Sequence, residues 1–409
     1  MKTYSLFKVE YKWFLVIILL LGSIINYLDR ANLSIANTTI ASEFHLNAFQ
    51  MGLILSAFMW PYAIANLPAG WLIDKIGIHK IFLASVLLWS FATLLGGISH
   101  TFEMLYISRV ILGIAEAPFF IIAAKVCQLY FEETRRGFTV SLINTGPKIA
   151  QGFAPIFLAA LMITYNWQTM FFILSFLSLF IILLWLLFYR KDLPQTLIKT
   201  PPLKTKISWG RLIHTRSSWL FNIGNFTSSY IFWFYFTWLT TYLIKNKHMS
   251  IEKSAWLTSV PFIVGIFAVP LGGWISDTLI KKGVNPIKAR VLPASLGCLI
   301  SGIAVLPVNY IHSETLSMTL ITLSFFFLVM RVGVLWALVT DIVPKQAVGT
   351  FGGIQNFFNF LGGTLAPICT GYILVVTQNN YNLAFIVCGV MALISALAYG
   401  LIKKPIVIE

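Results

Sequence analysis

Long apolar stretches alternate with short polar segments along almost the whole chain. Each apolar stretch has about 20 residues or more, which is enough for an α-helix to cross the hydrocarbon core of a bilayer. We count twelve of them, at roughly residues 13–36, 48–72, 79–98, 103–130, 137–162, 168–189, 217–243, 254–280, 290–309, 315–340, 347–377 and 382–402. The pattern predicts an all-α membrane protein with twelve transmembrane helices.

One long polar segment, residues 190–216, separates the first six stretches from the last six. The two halves also resemble each other, since Gly70 and Asp74 end the second stretch and Gly273 and Asp277 end the eighth. Many secondary transporters are built from two such repeats. The predicted domains are an N-terminal six-helix bundle at 1–190, a cytoplasmic linker at 191–216 and a C-terminal six-helix bundle at 217–409.

Composition supports the membrane assignment, and the distribution of charge predicts an orientation. Charged residues make up 11% of the chain, whereas soluble domains carry about 25%. If the N-terminus is cytoplasmic, 21 of the 29 Lys and Arg residues lie on the cytoplasmic side and only Lys245, Lys247 and Lys253 on the other. The positive-inside rule then predicts a multi-pass protein of the plasma (inner) membrane with both termini cytoplasmic. Anionic lipid headgroups explain the net charge of +15, so membrane lipid is an expected partner and nucleic acid is not.

Residues for other chemistries are scattered or absent from the sequence. The four Cys lie singly in apolar stretches, and all six His lie in loops or at predicted helix ends. This spacing indicates neither a disulfide nor a metal site, and no nucleotide-binding loop or dinucleotide fingerprint occurs. We expect no cofactor, no metal and no enzymatic activity, and a monomer driven by an ion gradient.

Seven charged side chains lie more than three residues from either end of a predicted helix, namely Asp29, Arg30, Arg109, Glu116, Lys125, Lys148 and Arg331. Burying an ion at bilayer depth costs roughly 2.5–3.5 kcal/mol even on the insertion scale, so such residues normally line a wet cavity and act there. Two carboxylates and five cations therefore predict a proton site beside an anion site.

Helical spacing arranges four of these charges. Arg109 and Glu116 are seven residues apart, so they share a helix face and lie about 10.5 Å apart along the axis. Asp29 is rotated by about 100° from Arg30 and is expected to turn toward the fourth helix. A buried carboxylate can take up a proton, whereas a nearby Arg favours its charged form. This competition would couple a proton to transport, although a purely structural ion pair is the alternative.

Several segments resemble a known family. Gly70–Lys80 resembles the cytoplasmic loop signature of the major facilitator superfamily, while Asn26–Ala36 and Arg109–Pro118 resemble its anion:cation symporter branch. That branch includes hexuronate, galactonate and sialic acid transporters. Further support comes from Phe236–Leu243, Trp336–Asp341 with Pro344, and Asn356–Gly363. The resemblance implies proton-coupled symport, that is import, of a small organic anion by alternating access.

The resemblance also implies roles for individual residues. Substrate binding is expected of Arg30, Tyr27, Tyr62, Trp336 and Asn359, proton coupling of Asp29 and Glu116 with Arg109 tuning Glu116, and gating of Asp74, Lys75 and Asp277. Lys148 and Arg331 depart from the family pattern. They could bind a substrate with more than one negative charge, or they could be snorkelling or internally paired cations. Lys125 is expected to snorkel or to act in gating, and the remaining aromatic residues to face lipid.

Three questions stay open at this stage. The substrate is expected to be a sugar acid such as a hexuronate or aldonate, with a di- or tricarboxylate or a carboxylate siderophore as alternatives. Protons are the expected coupling ion, with sodium as the alternative. Export by exchange, and a membrane sensor that does not transport, are the alternatives to import.

Overall fold

The computed structural model describes residues 3–189, 212, 215–344 and 347–406, which are almost entirely helical. The predicted linker at 191–216 lies almost wholly outside these residues. Contacts group the described residues into two compact units. Unit 1 comprises those within Met1–Leu46 and Ala57–Thr200, and unit 2 comprises those within Asn47–Ser56 and Pro201–Glu409.

The described residues form fifteen α-helices and one short 3₁₀ helix, Val308–Tyr310. The α-helices are α1 (Thr3–Glu43), α2 (Ala48–Ser56), α3 (Met59–Ile76), α4 (Ile78–Gly97), α5 (Phe102–Glu116), α6 (Phe119–Tyr130), α7 (Glu133–Thr164), α8 (Trp167–Phe188), α9 (Arg216–Lys245), α10 (Ile251–Lys281), α11 (Pro286–Val305), α12 (Glu314–Met330), α13 (Val332–Ile342), α14 (Val348–Val376) and α15 (Asn382–Gly400).

Eleven segments of the described chain are long and apolar enough to cross a membrane. The predicted helix at 217–243 corresponds to α9, which has 30 residues and is therefore about 45 Å long. It is less apolar because it buries polar residues such as Asn222, Asn225 and Thr237 inside unit 2. The predicted all-α membrane fold with twelve transmembrane helices is confirmed.

Three of the membrane spans are each built from two helices. They are Ala48–Ile76 (α2 and α3), Phe102–Tyr130 (α5 and α6) and Glu314–Ile342 (α12 and α13). Pro118 explains the second interruption, because proline lacks an N–H group and disfavours helical geometry in the residue before it. Interrupted spans are typical of transporter binding sites. Here the interruptions place Glu116 at the end of α5 and Arg331 between α12 and α13.

The contacts group Asn47–Ser56 with unit 2, and the predicted bundles at 1–190 and 217–409 with the linker at 191–216 stay predictions. Two glycines allow α2 and α14 to pack backbone against backbone. A Cβ atom on Gly52 would lie 2.4 Å from the Pro367 carbonyl oxygen, and one on Gly371 would lie 2.3 Å from that of Ala48. Such close approach of small residues is a common way for membrane helices to associate.

Candidate functional site

Arg30 lies on α1, and its guanidinium is enclosed by three aromatic rings. Its Cζ atom lies 4.6 Å from the centre of the Tyr27 ring, 4.5 Å from that of Phe58 and 4.8 Å from that of Tyr62. Contacts of this kind stabilise a desolvated cation by on the order of 1–2 kcal/mol. The three rings therefore hold the guanidinium in place.

Glu116, the last residue of α5, takes one of those donors. Arg30 Nε donates to Glu116 Oε2 at 3.0 Å, and the two side chains are 3% and 0% exposed. Arg30 Nη2 and Glu116 Oε1 are buried without a hydrogen-bond partner among the described residues. The pair therefore has one donor and one acceptor left over for a ligand.

Asp29 turns away from Arg30, as helical spacing predicts. Its carboxylate contacts α4, which is the third predicted helix (79–98), whereas the sequence analysis expected it to face the fourth (103–130). Trp89 Nε1 donates to Asp29 Oδ2, and Thr93 Oγ1 donates to Oδ1 at 3.1 Å. All three side chains are buried. Within the described residues, Asp29 has no ion-pair partner. It is a buried carboxylate held by two neutral donors.

Arg109 joins α5 to α1. Its Nη1 atom donates to the backbone carbonyl of Asp29 and its Nη2 atom to Asn32 Oδ1, each at 2.9 Å. The guanidinium also lies over the Phe171 ring, 4.9 Å from its centre. The sequence analysis expects Arg109 to tune Glu116 from about 10.5 Å along the helix axis, and that role stays a prediction. In the structure Arg30 donates to Glu116, and Arg109 holds the backbone of α1.

Three other residues were proposed as substrate contacts. Lys148 is partly buried on α7, and its Nζ atom donates to Gln151 Oε1 at 3.4 Å. Trp336 on α13 is 53% exposed. Asn359 on α14 is partly buried, and its backbone carbonyl accepts a hydrogen bond from Ser229 at 2.7 Å. Their roles in substrate binding stay predictions.

Arg331 is buried inside unit 2, where it is 5% exposed. The Tyr399 phenol on α15 and the Cys298 thiol on α11 lie close to its guanidinium. No described carboxylate forms an ion pair with it. Its Nε atom is buried without a hydrogen-bond partner among the same residues.

Two of the three residues expected to act in gating, Asp74 and Asp277, form ion pairs within their own unit. In unit 1, Lys125 on α6 pairs with Asp74 on α3, so Lys125 is a paired cation. In unit 2, Arg290 pairs with Asp277 and also with Asp341, at 3.4 Å. The remaining gating candidate, Lys75, lies over the Trp71 ring at 4.7 Å.

The sequence analysis missed four residues of the unit 1 cluster, namely Phe58, Trp89, Thr93 and Asn32. Phe58 and Trp89 were expected to face lipid, yet they are 5% and 0% exposed. Trp89 is buried because its indole N–H binds Asp29, and Phe58 because its ring covers Arg30. Asn32, three residues after Asp29, was the one recoverable signal, since an amide at that spacing shares a helix face with the carboxylate.

A membrane protein with repeated halves, interrupted spans and a buried charge cluster has the architecture of a secondary transporter. The model of the Major Facilitator Superfamily matches residues 19–367, and the chain therefore belongs to this superfamily. Its relatives are transporters, so the chain is a transporter and not an enzyme.

Three relatives cover almost the whole chain. A probable L-galactonate transporter of Escherichia coli (strain K12) is 30% identical over 405 residues, covering 96% of this chain and 89% of that protein. A probable galactarate/D-glucarate transporter of Bacillus subtilis (strain 168) is 32% identical, covering 98% and 93%. The hexuronate transporter of the same Bacillus strain is 29% identical, covering 96% and 94%.

Solved structures show the same fold at lower identity. A bacterial homologue of the human lysosomal transporter Spinster, in an inward-facing and occupied conformation, has a TM-score of 0.80 and 18% identity, with 95% of this chain and 96% of that chain covered. A D-xylose–proton symporter has a TM-score of 0.73 and 14% identity, with 97% and 98% covered.

Proposed function

We propose that the protein imports a sugar-acid anion together with protons, by alternating access across the plasma (inner) membrane. The observation that carries this proposal is the buried Arg30–Glu116 pair with its leftover donor and acceptor. The names of the relatives, which are transporters of galactonate, of galactarate and glucarate, and of hexuronate, support a sugar acid as the substrate class.

In this proposal the Arg30 guanidinium binds either Glu116 or the substrate carboxylate, and this couples substrate binding to proton binding. A substrate carboxylate accepts hydrogen bonds from Arg30, whose planar fork can bind two oxygens side by side. While Glu116 is charged, it competes for the same donors. A proton on Glu116 removes this competition, so that the proton and the anion bind together. Truncating one partner of such a buried pair typically costs about 2–5 kcal/mol, which is enough to make the coupling strict.

Asp29 is proposed as the second proton carrier. Its two neutral donors, Trp89 and Thr93, hold the carboxylate in place without an ion pair. Arg109 fixes the backbone of Asp29 through the carbonyl group. Protonation of Asp29 would therefore change the charge next to Arg109 without breaking the contact between α1 and α5.

The remaining candidates complete the proposal. Tyr27 and Tyr62 lie next to the Arg30 guanidinium, where their hydroxyl groups could contact the hydroxyl groups of a sugar acid. Trp336 and Asn359 are also proposed as substrate contacts. Asp74, Lys75 and Asp277 are proposed to act on the opening and closing of the transporter at its cytoplasmic side.

If Asp277 acts in gating, Asp277→Asn should change the maximal rate of uptake and leave the substrate dissociation constant unaltered. A changed dissociation constant would contradict that role.

The direct test is uptake by the purified protein in liposomes. With an acidic exterior and a neutral interior, the protein should accumulate labelled D-galactonate, galactarate or a hexuronate, and a protonophore should abolish the accumulation. Replacing sodium by choline should have no effect. Uptake that follows a sodium gradient, or flux that needs a counter-substrate, would contradict proton-coupled import.

A further inference from the structure

Two cavities of unit 2 meet at Glu314, the first residue of α12. One cavity, of about 720 Å³, is a groove lined by α10 and α12, and most of its side chains are apolar. The other, of about 490 Å³, is lined mainly by polar residues of the segments that follow α9 and α14 and precede α12. Because Glu314 lines both cavities, the apolar groove adjoins a polar pocket. This arrangement fits an amphiphile.

The apolar groove is about as long as one leaflet of a bilayer is deep. It begins at the ion pair between Lys253 and Glu314, near the N-terminal ends of α10 and α12. Lys253 and Val264 both line it and are eleven residues apart, which is about 16 Å along the helix. Half of a hydrocarbon core of about 30 Å has nearly the same length. The apolar side chains that line the groove are Leu257, Val260, Val264, Met318, Leu323 and Phe326.

Charges of both signs lie where the apolar groove ends. The side chains of Lys253 and Glu314 are 53% and 47% exposed, so a ligand can reach either partner of the pair. Lys247 lines the polar pocket, where its Nζ atom donates to the Ile311 carbonyl at 2.7 Å. Two ammonium groups and one carboxylate complement a headgroup that carries a phosphate and an ammonium group. A headgroup with only a negative charge would be repelled by Glu314.

The loop after α14 gives the polar pocket a preformed wall. Gln378 and Asn379 both have a left-handed backbone, with φ of 52° and 65°. The Asn379 N–H donates to the Leu374 carbonyl at 2.7 Å, and the Asn382 N–H donates to Asn380 Oδ1 at 2.9 Å. These bonds hold a row of amide side chains at the pocket. Amides offer both donors and acceptors, so they suit phosphate oxygens as well as an ammonium group.

We infer that these two cavities bind one phospholipid with an ethanolamine headgroup. An acyl chain fills the groove between α10 and α12, the phosphate lies at Lys253 and Lys247, and the ammonium group binds Glu314. The predicted orientation places this lipid in the non-cytoplasmic leaflet. None of these residues takes part in the proposed binding of substrate and protons, so the lipid site is independent of that function.

Three lipids with the same acyl chains separate headgroup recognition from ordinary solvation by lipid. Phosphatidylethanolamine and phosphatidylcholine carry the same charges, but the trimethylammonium group of choline has no N–H donor. Phosphatidylglycerol has the phosphate without a positive charge. Native mass spectrometry of the purified, delipidated full-length protein measures a dissociation constant for the first molecule of each lipid. Ratios between lipids on one variant cancel any general damage to the fold.

Wild type should bind phosphatidylethanolamine about fivefold more tightly than phosphatidylcholine, which is the upper end for a partly exposed ion pair. Glu314→Gln should abolish this preference and bind phosphatidylglycerol more tightly than wild type does. Lys253→Gln should weaken binding of the ethanolamine and choline lipids alike, because both have the same phosphate. Equal binding of these two lipids by wild type, or an ethanolamine preference that survives in Glu314→Gln, would overturn the inference.

A large side chain in the groove tests where the acyl chain lies. Val260 lines the groove and is 40% exposed, so Val260→Trp fills the groove without entering the core. Val390→Trp on α15 is the matched control, since Val390 is 46% exposed and lines neither cavity. Val260→Trp should weaken the binding of all three lipids, and Val390→Trp should not. Equal behaviour of the two variants would overturn the inference. So would a wild-type dimer, seen by light scattering, that Val260→Trp separates, because a second copy would then cover the groove.

Discussion

At the scale of single residues, the proposed function makes Glu116 and the substrate carboxylate compete for the donors of Arg30. Three rings hold its guanidinium, and Glu116 takes its Nε donor while Nη2 has no partner among the described residues. A fork with donors on several nitrogen atoms can serve Glu116 and a substrate carboxylate in turn. The ammonium of a lysine cannot match that planar geometry.

Replacing Arg30 should therefore weaken substrate binding even when the charge is kept. We expect Arg30→Ala to raise the dissociation constant for D-galactonate by well over tenfold, and Arg30→Lys to recover little of that loss, because the fork is missing. Calorimetry on purified protein measures both values. Lys253→Gln is a suitable control, since it removes a cation from an exposed ion pair in unit 2 and should change the constant less than twofold. Wild-type affinity in a folded Arg30→Ala protein would rule out the proposed anion site.

The identity of these residues could be predicted from the sequence, but their pairing could not. Charges inside apolar stretches pointed to Asp29, Arg30, Arg109 and Glu116. Spacing along one helix shows which residues share a face, but it does not give the rotation of one helix against the next. Spacing therefore placed Arg109 and Glu116 on one face of one helix, but it could not show that Arg30 donates to Glu116 and that Arg109 donates to the backbone of Asp29.

At the scale of helices, two interrupted spans lead to Arg30. The break between α2 and α3 supplies Phe58, and α5 ends at Glu116. Gly113 allows the two spans to come together, since a Cβ atom there would lie 2.3 Å from the Phe58 carbonyl oxygen. Pro118 is the feature of the sequence from which the break after α5 could be predicted. No proline marks the break at Arg331, so that interruption could not be predicted.

A methyl group at Gly113 should disturb the site without touching a charge. Gly113→Ala forces the Phe58 backbone away from α5, and overpacking of this kind costs about 1–3 kcal/mol. We expect a lower melting temperature and a loss of D-galactonate affinity through the displaced Phe58 ring. Gly137→Ala is the matched control, because nothing lies within 4 Å of a Cβ atom at that helical position. It should be neutral or slightly stabilising, and equal behaviour of the two variants would refute this role for Gly113.

At the scale of the whole molecule, hydropathy was enough to predict the twelve helices, and the resemblance of the motif residues was enough to indicate the superfamily. It located α9 even though that helix is rich in buried Ser, Thr and Asn. The grouping of Asn47–Ser56 with unit 2 could not be predicted from the sequence, because it depends on backbone contacts of Gly52 and Gly371 with distant residues. The direction of transport and the coupling ion depend on how charges change during the transport cycle. The amino-acid composition does not report such changes, so neither property could be predicted from it.

The central claim is that a proton on Glu116 links substrate binding to the proton gradient. The most direct measurement compares two fluxes of D-galactonate in liposomes, for wild type and Glu116→Gln. One flux is accumulation driven by a pH gradient, and the other is exchange of labelled for unlabelled substrate at equal pH. Because Gln mimics the protonated acid, Glu116→Gln should lose accumulation entirely and retain exchange at a rate within a few-fold of wild type. Full concentrative uptake by Glu116→Gln would contradict the account.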